Sequence, residues 1–118
     1  MVTLMGERAD AALDEAFFAL SHRARRRLLR QLADGPQRVT DLARRHRVSL
    51  NSVSKHIAIL ERARLVERTV AGRDHFLRLD PLRLEAAERW LDENRRFWTV
   101  RLDNLAAVFQ AQPKDDNR

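Results

Sequence analysis

The segment 49–62 constrains the fold of this chain most strongly, because it combines a helix start with a separation of apolar and polar sides. Ser49 is a favourable N-cap, since a serine hydroxyl accepts a hydrogen bond from one of the first unpaired backbone N–H groups of a helix. At helical spacing, Val53, Ile57 and Leu60 fall on one side. The sequence therefore predicts an amphipathic helix that is anchored to a core by these three residues.

The other side of this helix offers short polar side chains near its start, where Asn51, Ser54 and Lys55 lie beside Ala58. Donors and acceptors of this kind read base pairs in the major groove of DNA, and a helix N-terminus also favours phosphate. The pattern is therefore typical of a DNA recognition helix.

Positive charge is concentrated in the middle of the chain. The net charge is +6, yet residues 21–78 hold 15 Lys and Arg against five acidic residues, whereas 1–20 hold one against four and 79–118 hold seven against eight. A strongly basic block between acidic flanks indicates a surface that meets a polyanion. A solvated arginine-rich surface would carry the same charge, so the charge alone does not decide between these interpretations.

The composition excludes several classes of protein. The chain has no cysteine, which removes disulfides, thiolate metal sites and cysteine nucleophiles. No run approaches the roughly 18 apolar residues of a membrane span, and four acidic residues among the first 15 are unlike a signal peptide. We therefore expect a cytoplasmic protein that does not enter a membrane.

Catalysis and metal binding are not expected either. His22, His46, His56 and His75 fall in four different predicted elements and lack the spacing of metal ligands. The chain has three glycines and offers no nucleophile–base set and no phosphate-cradling loop. We expect no cofactor, no metal and no enzymatic activity, and we interpret His56 as a hydrogen-bonded structural or phosphate-facing residue.

The N-terminal part of the chain predicts one helix. Residues 1–8 have no clear pattern and are expected to be flexible, whereas 9–20 carry apolar residues at i, i+3, i+4 spacing. Phe17 and Phe18 adjoin, so they cannot share a face, and we expect one of them to meet a partner subunit. The apolar set is Ala12, Leu13, Ala16, Phe17 and Leu20.

Two further helices are predicted before the recognition helix. Ser21 is expected to cap a helix over 22–33, which Gly35-Pro36 stops, and Thr40 is expected to start a short helix over 41–46. Only a few residues separate that short helix from the recognition helix, which is the helix-turn-helix pattern. The expected inward residues are Leu28, Leu29, Leu32, Leu42 and Ala43.

A β-hairpin is predicted after the recognition helix. Residues 65–70 and 75–79 alternate in part between apolar and polar side chains, and the glycine between them suits a hairpin turn. A hairpin at this place is interpreted as a wing over 67–78. Its residues Arg68 and Arg73 are expected to reach the DNA backbone or the minor groove.

A long last helix is predicted over 82–110, and the polar residues 111–118 after it are expected to be disordered. The core of so small a chain cannot cover its many apolar residues, so we expect a second copy of the chain to cover them, with help from the first helix. The expected dimer interface comprises Leu13, Phe17, Trp90, Leu91, Phe97, Trp98, Leu102, Leu105 and Phe109.

The aromatic residues Trp90, Phe97 and Trp98 of this helix have two interpretations. Aromatic side chains at helical spacing are typical of packing between helices, which favours a dimer core. A pocket at the subunit junction would instead suit a small-molecule effector. Both interpretations stay open at this point.

The order of elements and three local segments resemble the ArsR-type winged-helix repressors of bacteria, over about residues 9–110. The pattern of Trp90 with 96–98 and 101–105 further resembles a subgroup that includes Sdp-type autorepressors. The matching segments are 19–29, similar to the opening of the family's second helix; 39–43, similar to its short third helix; and 53–66, similar to its recognition helix and exit into the wing.

The resemblance implies a mainly helical fold with a small β-hairpin wing, in which 9–110 form a single winged-helix DNA-binding domain that includes a dimerisation helix over 82–110. Many family members sense metal through cysteines in the third helix or through Asp and His in the last helix, and this chain has neither set. The implied DNA contacts are Asn51, Ser52, Ser54, Lys55 and His56, with Gly72 and Arg73 in the wing and Thr40 and Arg25 on the backbone; Ser49 and Arg68 complete the predicted contact set.

These observations predict a homodimeric transcriptional repressor that binds a near-palindromic operator in double-stranded DNA. The alternative is a winged-helix protein-interaction module whose apolar C-terminal helix binds a different protein partner. A salt-dependent complex with DNA distinguishes the first hypothesis from the second.

Overall fold

The computed structural model describes residues 4–111, with side chains from Gly6 onward. Three strands in that range form one antiparallel sheet with the order β1-β3-β2. The predicted class, mainly helical with a small hairpin wing, is confirmed. In chain order the elements are α1 (Leu4–Leu20), α2 (Arg23–Leu32), β1 (Gln37–Arg38), α3 (Val39–His46), α4 (Leu50–Arg62), β2 (Val66–Ala71), β3 (Asp74–Leu79) and α5 (Pro81–Ala111).

The core is built from apolar side chains of the first four helices and of the two longer strands. The predicted anchors of α4 are confirmed, because Val53, Ile57 and Leu60 are at most 2% exposed. Burying one such side chain is worth about 1.5–3 kcal/mol. Helix α4 is therefore fixed along one side, and its opposite side stays in solvent. The other inward residues that were predicted are also buried, namely Leu28, Leu29, Leu32, Leu42 and Ala43.

Two helices begin earlier than predicted. Helix α1 begins at Leu4, so residues 4–8 are helical, and Glu7 in its first turn complements the positive end of the helix dipole. Residues 1–3 lie outside the described part of the chain. Helix α3 begins at Val39 without a side-chain cap, so the prediction that Thr40 starts this helix is wrong.

The predicted cap of α2 is also wrong. His22 is the N-cap, and its Nδ1 accepts a hydrogen bond from the Ala24 N–H at 3.0 Å. Ser21 cannot serve, because its hydroxyl donates to the Phe18 carbonyl at the end of α1. The predicted stop is confirmed, since α2 ends at Leu32 and the Gly35 N–H donates to the Leu32 carbonyl at 3.0 Å.

A short strand that the sequence did not predict precedes α3. In β1, Gln37 pairs with Leu77 and Arg38 pairs with Phe76. Two residues are too few for alternation to be recognised in a sequence. The pairing joins the start of α3 to the wing, so the helix-turn-helix and the hairpin form one unit.

The wing is confirmed as a tight hairpin of β2 and β3. Its last pair is Ala71 with Asp74, which leaves Gly72 and Arg73 as the two central turn residues. Gly72 has a φ of +65°, a conformation that glycine adopts without the steric cost of a side chain. The turn therefore projects Arg73 at the tip of the wing, where it is exposed.

Helix α5 follows the predicted bounds closely. Pro81 is its first residue, and the Asp80 carboxylate accepts a hydrogen bond from the Leu82 N–H at 3.2 Å. The chain divides within this helix, since one compact unit ends at Ala87 and a second begins at Glu88. The predicted disordered tail 111–118 lies outside the described residues, apart from Ala111 at the end of α5.

Candidate nucleic-acid interface

Helix α4 has the start that the sequence predicted. Ser49 lies in the extended region as N-cap, and its hydroxyl oxygen accepts a hydrogen bond from the Ser52 N–H at 3.1 Å. Capping of this kind stabilises a helix by about 1 kcal/mol. The cap keeps the first turn ordered in solvent, where base-reading residues have to be presented. The exposed residues of this half of the helix include Asn51, Ser52, Ser54 and Lys55.

The turn between α3 and α4 has three residues. Arg47 ends α3 in the left-handed conformation with φ +53°, and its N–H donates to the Arg44 carbonyl at 3.2 Å. This closure lets the chain reverse within a few residues. It brings α4 directly after α3, as the helix-turn-helix prediction requires.

Arg25 occupies the interior rather than the surface. It is only 5% exposed, and its guanidinium donates from Nε to the Ala19 carbonyl at 2.8 Å and from Nη2 to the Phe18 carbonyl at 3.0 Å. The last carbonyls of a helix lack partners within the helix, so a cation at this place satisfies them. The predicted contact of Arg25 with the DNA backbone conflicts with this placement and is wrong.

Arg25 also connects α1 to the recognition helix. Its Nη1 lies 3.3 Å from Nδ1 of His56, which is half-buried in α4. A guanidinium can only donate, so Nδ1 of His56 acts as the acceptor and the ring is neutral in this contact. This hydrogen bond supports the structural interpretation of His56, and the phosphate-facing interpretation stays a prediction.

His22 and His56 lie together although they belong to different elements. Their ring centroids are 4.7 Å apart. Burial lowers the pKa of His56 below its usual 6.5, and the charges of His22 and Arg25 lower it further. Their 34-residue separation along the chain gave no sign of this proximity.

Among residues 4–111, no three His, Cys, Asp or Glu side chains come close enough to hold a metal ion.

Arg68 fixes the wing to α4. Its Nε and Nη2 each donate to the Glu61 carboxylate at 3.0 Å, and its Nη1 lies 3.0 Å from Nδ1 of His75. The hydrogen bond with Glu61 raises the pKa of Arg68 above its usual value. Because this guanidinium is engaged in the fold, the predicted contact of Arg68 with DNA has no support in this arrangement. The wing tip keeps Gly72 and Arg73 exposed.

These elements define a winged helix-turn-helix domain, and comparison with known proteins identifies its family. Residues 20–69 match a family described as a helix-turn-helix domain. The HTH-type transcriptional regulator Rv2034 of Mycobacterium tuberculosis is 39% identical over 102 residues, which cover 86% of this chain and 92% of that protein.

Solved structures agree with this assignment. An ArsR family transcriptional regulator is 31% identical, with a TM-score of 0.71, covering 76% of this chain and 93% of the other. The winged helix-turn-helix domain of a possible ArsR-family regulator from Mycobacterium bovis shares the fold, with 20% identity, a TM-score of 0.63 and coverage of 86% and 92%. The chain belongs to the ArsR-type family of winged helix-turn-helix transcriptional regulators, which are DNA-binding proteins and not enzymes.

None of the helices within the described residues combines the length and the apolar character that a membrane span needs.

The buried position of Arg25 predicts a large effect on stability. Arg25→Ala should lower the free energy of unfolding by about 2 kcal/mol or more, because it leaves buried carbonyls without a charged donor. Arg23→Ala, which changes an exposed arginine of the same helix, should change it by less than about 0.5 kcal/mol. Urea unfolding of the free protein measures both values. Equal, small effects would contradict the structural role of Arg25.

The lowered pKa of His56 predicts that stability falls in mild acid. Protonation of His56 favours the unfolded chain, so its contribution to stability is complete above pH 6.5 and is lost as the pH falls from 6.5 toward the folded pKa. His56→Gln should therefore reduce the decrease in unfolding free energy over this window. Urea unfolding at a series of pH values measures the decrease, and an identical decrease in both proteins would refute the assignment.

Proposed function

We propose that this chain is a homodimeric transcriptional repressor that binds a near-palindromic operator with α4 in the major groove. The observation that carries the proposal is an exposed polar edge of α4, formed by Asn51, Ser54 and Lys55. The opposite side of the helix is fully buried. The major groove is about 12 Å wide and accommodates a helix about 10–12 Å across. The edge can therefore enter the groove without any rearrangement of the core.

Sequence choice is assigned to the first two turns of α4. An asparagine recognises adenine with two hydrogen bonds, a lysine donates to guanine, and a serine is compatible with several bases. Asn51, Ser54 and Lys55 supply these three chemistries from exposed positions. Ser52 lies beside them and extends the polar edge.

Affinity is assigned mainly to contacts with phosphate. Arg73 at the wing tip and Thr40 in the first turn of α3 are exposed, and a basic block neutralises backbone charge and releases counterions. Such contacts position a protein on DNA, whereas base contacts specify the sequence. Binding should therefore weaken steeply as salt rises.

Dimerisation is supported by the apolar side chains of α5. Trp90 is 40% exposed, Trp98 is 55% exposed and Phe109 is 64% exposed, and covering such side chains is worth about 25 cal/mol per Å². The comparable M. bovis domain is described as homodimeric. The other interface residues proposed here are Leu13, Phe17, Leu91, Phe97, Leu102 and Leu105.

The proposed dimer represses transcription when its operator overlaps a promoter, because the bound dimer then excludes RNA polymerase. It would act in the cytoplasm, where the chromosome lies. Two copies of α4 would read half-sites about one helical turn, ~34 Å, apart.

A small-molecule effector that entered between the aromatic residues of α5 would act by changing the orientation of the two recognition helices. A different protein seated on α5 is the alternative to a second copy, because the same exposed apolar residues would suit either occupant.

The two lysines of the chain provide a matched test of the recognition helix. Lys55→Ala should weaken binding to DNA selected by the wild-type protein by roughly 10- to 100-fold, since a base contact is worth about 1–3 kcal/mol. Lys114→Ala removes the same charge at a position after the predicted domain 9–110 and should have little effect. Fluorescence anisotropy titration measures both, and equal losses would count against the assignment.

The oligomeric state tests the role of α5. Trp98→Glu places a charge in the proposed interface and should dissociate the dimer, whereas Glu93→Gln on the same helix should leave it intact. Analytical ultracentrifugation of the wild-type protein and both variants measures the mass. A monomeric wild-type protein, or a stable complex only with a different protein, would overturn the homodimer.

A further inference from the structure

A cleft of about 610 Å³ lies between α2 and the first two turns of α4, beside the polar edge. Ser52 and His56 line it from α4, and Arg23 and Arg27 line it from α2. His22 lines it at the start of α2, and His46 lines it from α3. Within the described residues, no Asp or Glu lines this cleft.

The two arginines of the cleft are free to bind a ligand, unlike their neighbours in α2. Arg25 is buried against carbonyls of α1, and Arg26 donates to the Leu20 carbonyl at 2.7 Å. Within residues 4–111, neither the Arg23 side chain nor the Arg27 side chain makes a hydrogen bond or an ion pair, and both residues are exposed. Two guanidinium groups held apart from any acid make this cleft a place where an anion is favoured.

The cationic surface continues beyond the cleft. Arg27 also lines a second, adjoining cleft, together with Arg30, Arg45 and Arg47. Among the described residues that line this second cleft, Asp34 is the one acidic residue. A single small anion would need fewer cations than this, whereas an extended polyanion suits a continuous basic surface.

The position of the cleft beside α4 indicates that this polyanion is the backbone of DNA. Glu61 faces the wing on one flank of α4 through its contact with Arg68, and Ser52 and His56 face the cleft on the other flank. A helix that fills a major groove lies between the two phosphate backbones of the duplex. The wing therefore lies toward one backbone, and the cleft lies toward the other.

We propose that this cleft binds a phosphodiester group of the DNA backbone, with Arg23 and Arg27 as its cationic partners. The inference rests on the proposed function, since it requires α4 in the major groove. The planar fork of an arginine matches two phosphate oxygens. His22 adds a ring N–H, because its Nδ1 accepts from Ala24 and its proton is therefore on Nε2.

The salt dependence of DNA binding tests the proposal. The double variant Arg23→Ala/Arg27→Ala should make the slope of log K against log salt less negative by about two, and each single variant by about one. Affinity at low salt should fall on the order of tenfold for each arginine, because a hydrogen bond to a charged group is lost. Arg8→Ala removes one exposed charge from α1, away from this cleft, and should leave the slope unchanged.

A second measurement uses the wild-type fold and altered DNA. Replacing single phosphodiesters by neutral methylphosphonates should reveal one position in each half-site where the wild-type protein loses affinity and the double variant does not. Equal losses for both proteins at every position, with unchanged slopes, would overturn the cleft assignment while leaving DNA binding by α4 intact. If the wild-type protein forms no complex with any DNA, both proposals fail.

Discussion

Helix α4 presents one edge to a partner because its other sides are fixed by the fold. Its apolar residues Val53, Ile57 and Leu60 are buried in the core. On one flank, Arg25 contacts His56 and ties α4 to the end of α1, while on the other flank the Glu61–Arg68 pair ties it to the wing. If α4 binds DNA as proposed, a helix held in this way would lose little conformational entropy on binding, so more of its contact energy would contribute to affinity.

Arginines serve three different purposes in this small domain, although a charge count treats them alike. Arg25 satisfies the carbonyls at the end of α1, and Arg68 orients the wing. Arg23 and Arg27 lie exposed beside the recognition helix. The net +10 of residues 21–78 therefore overstates the charge that faces DNA, since part of it is used inside the fold. Arg27 lines two adjoining clefts, one of them with Arg23 and the other with Arg30, Arg45 and Arg47.

Elements whose apolar residues recur at a regular spacing were predictable from the sequence. The buried side of α4 follows from the spacing of Val53, Ile57 and Leu60, and the hairpin follows from a glycine between two alternating segments. Helix-turn-helix order and the long α5 followed from the same local patterns. These patterns report which face of an element is buried, and that is enough to define the fold class.

Features that depend on contacts between distant segments were not predictable. The burial of Arg25 depends on carbonyls six and seven residues earlier, which point toward it only once α1 and α2 have packed. Strand β1 is too short to have a pattern, and it exists because β3 offers an edge. Likewise, Ser21 was predicted as the cap of α2, but its hydroxyl donates to the Phe18 carbonyl, and His22 is the N-cap instead.

We propose that the polar edge of α4 enters the major groove from a two-fold symmetric dimer, and cleavage of bound DNA tests this most directly. Because the chain has no cysteine, Ala58→Cys, at an exposed position of α4 that is not assigned a base contact, provides a single attachment point for an iron chelate that cleaves nearby DNA. We expect two clusters of cleavage on bound DNA, related by symmetry and separated by about one helical turn, ~10 base pairs. A single cluster, or cleavage spread evenly along the duplex, would contradict it.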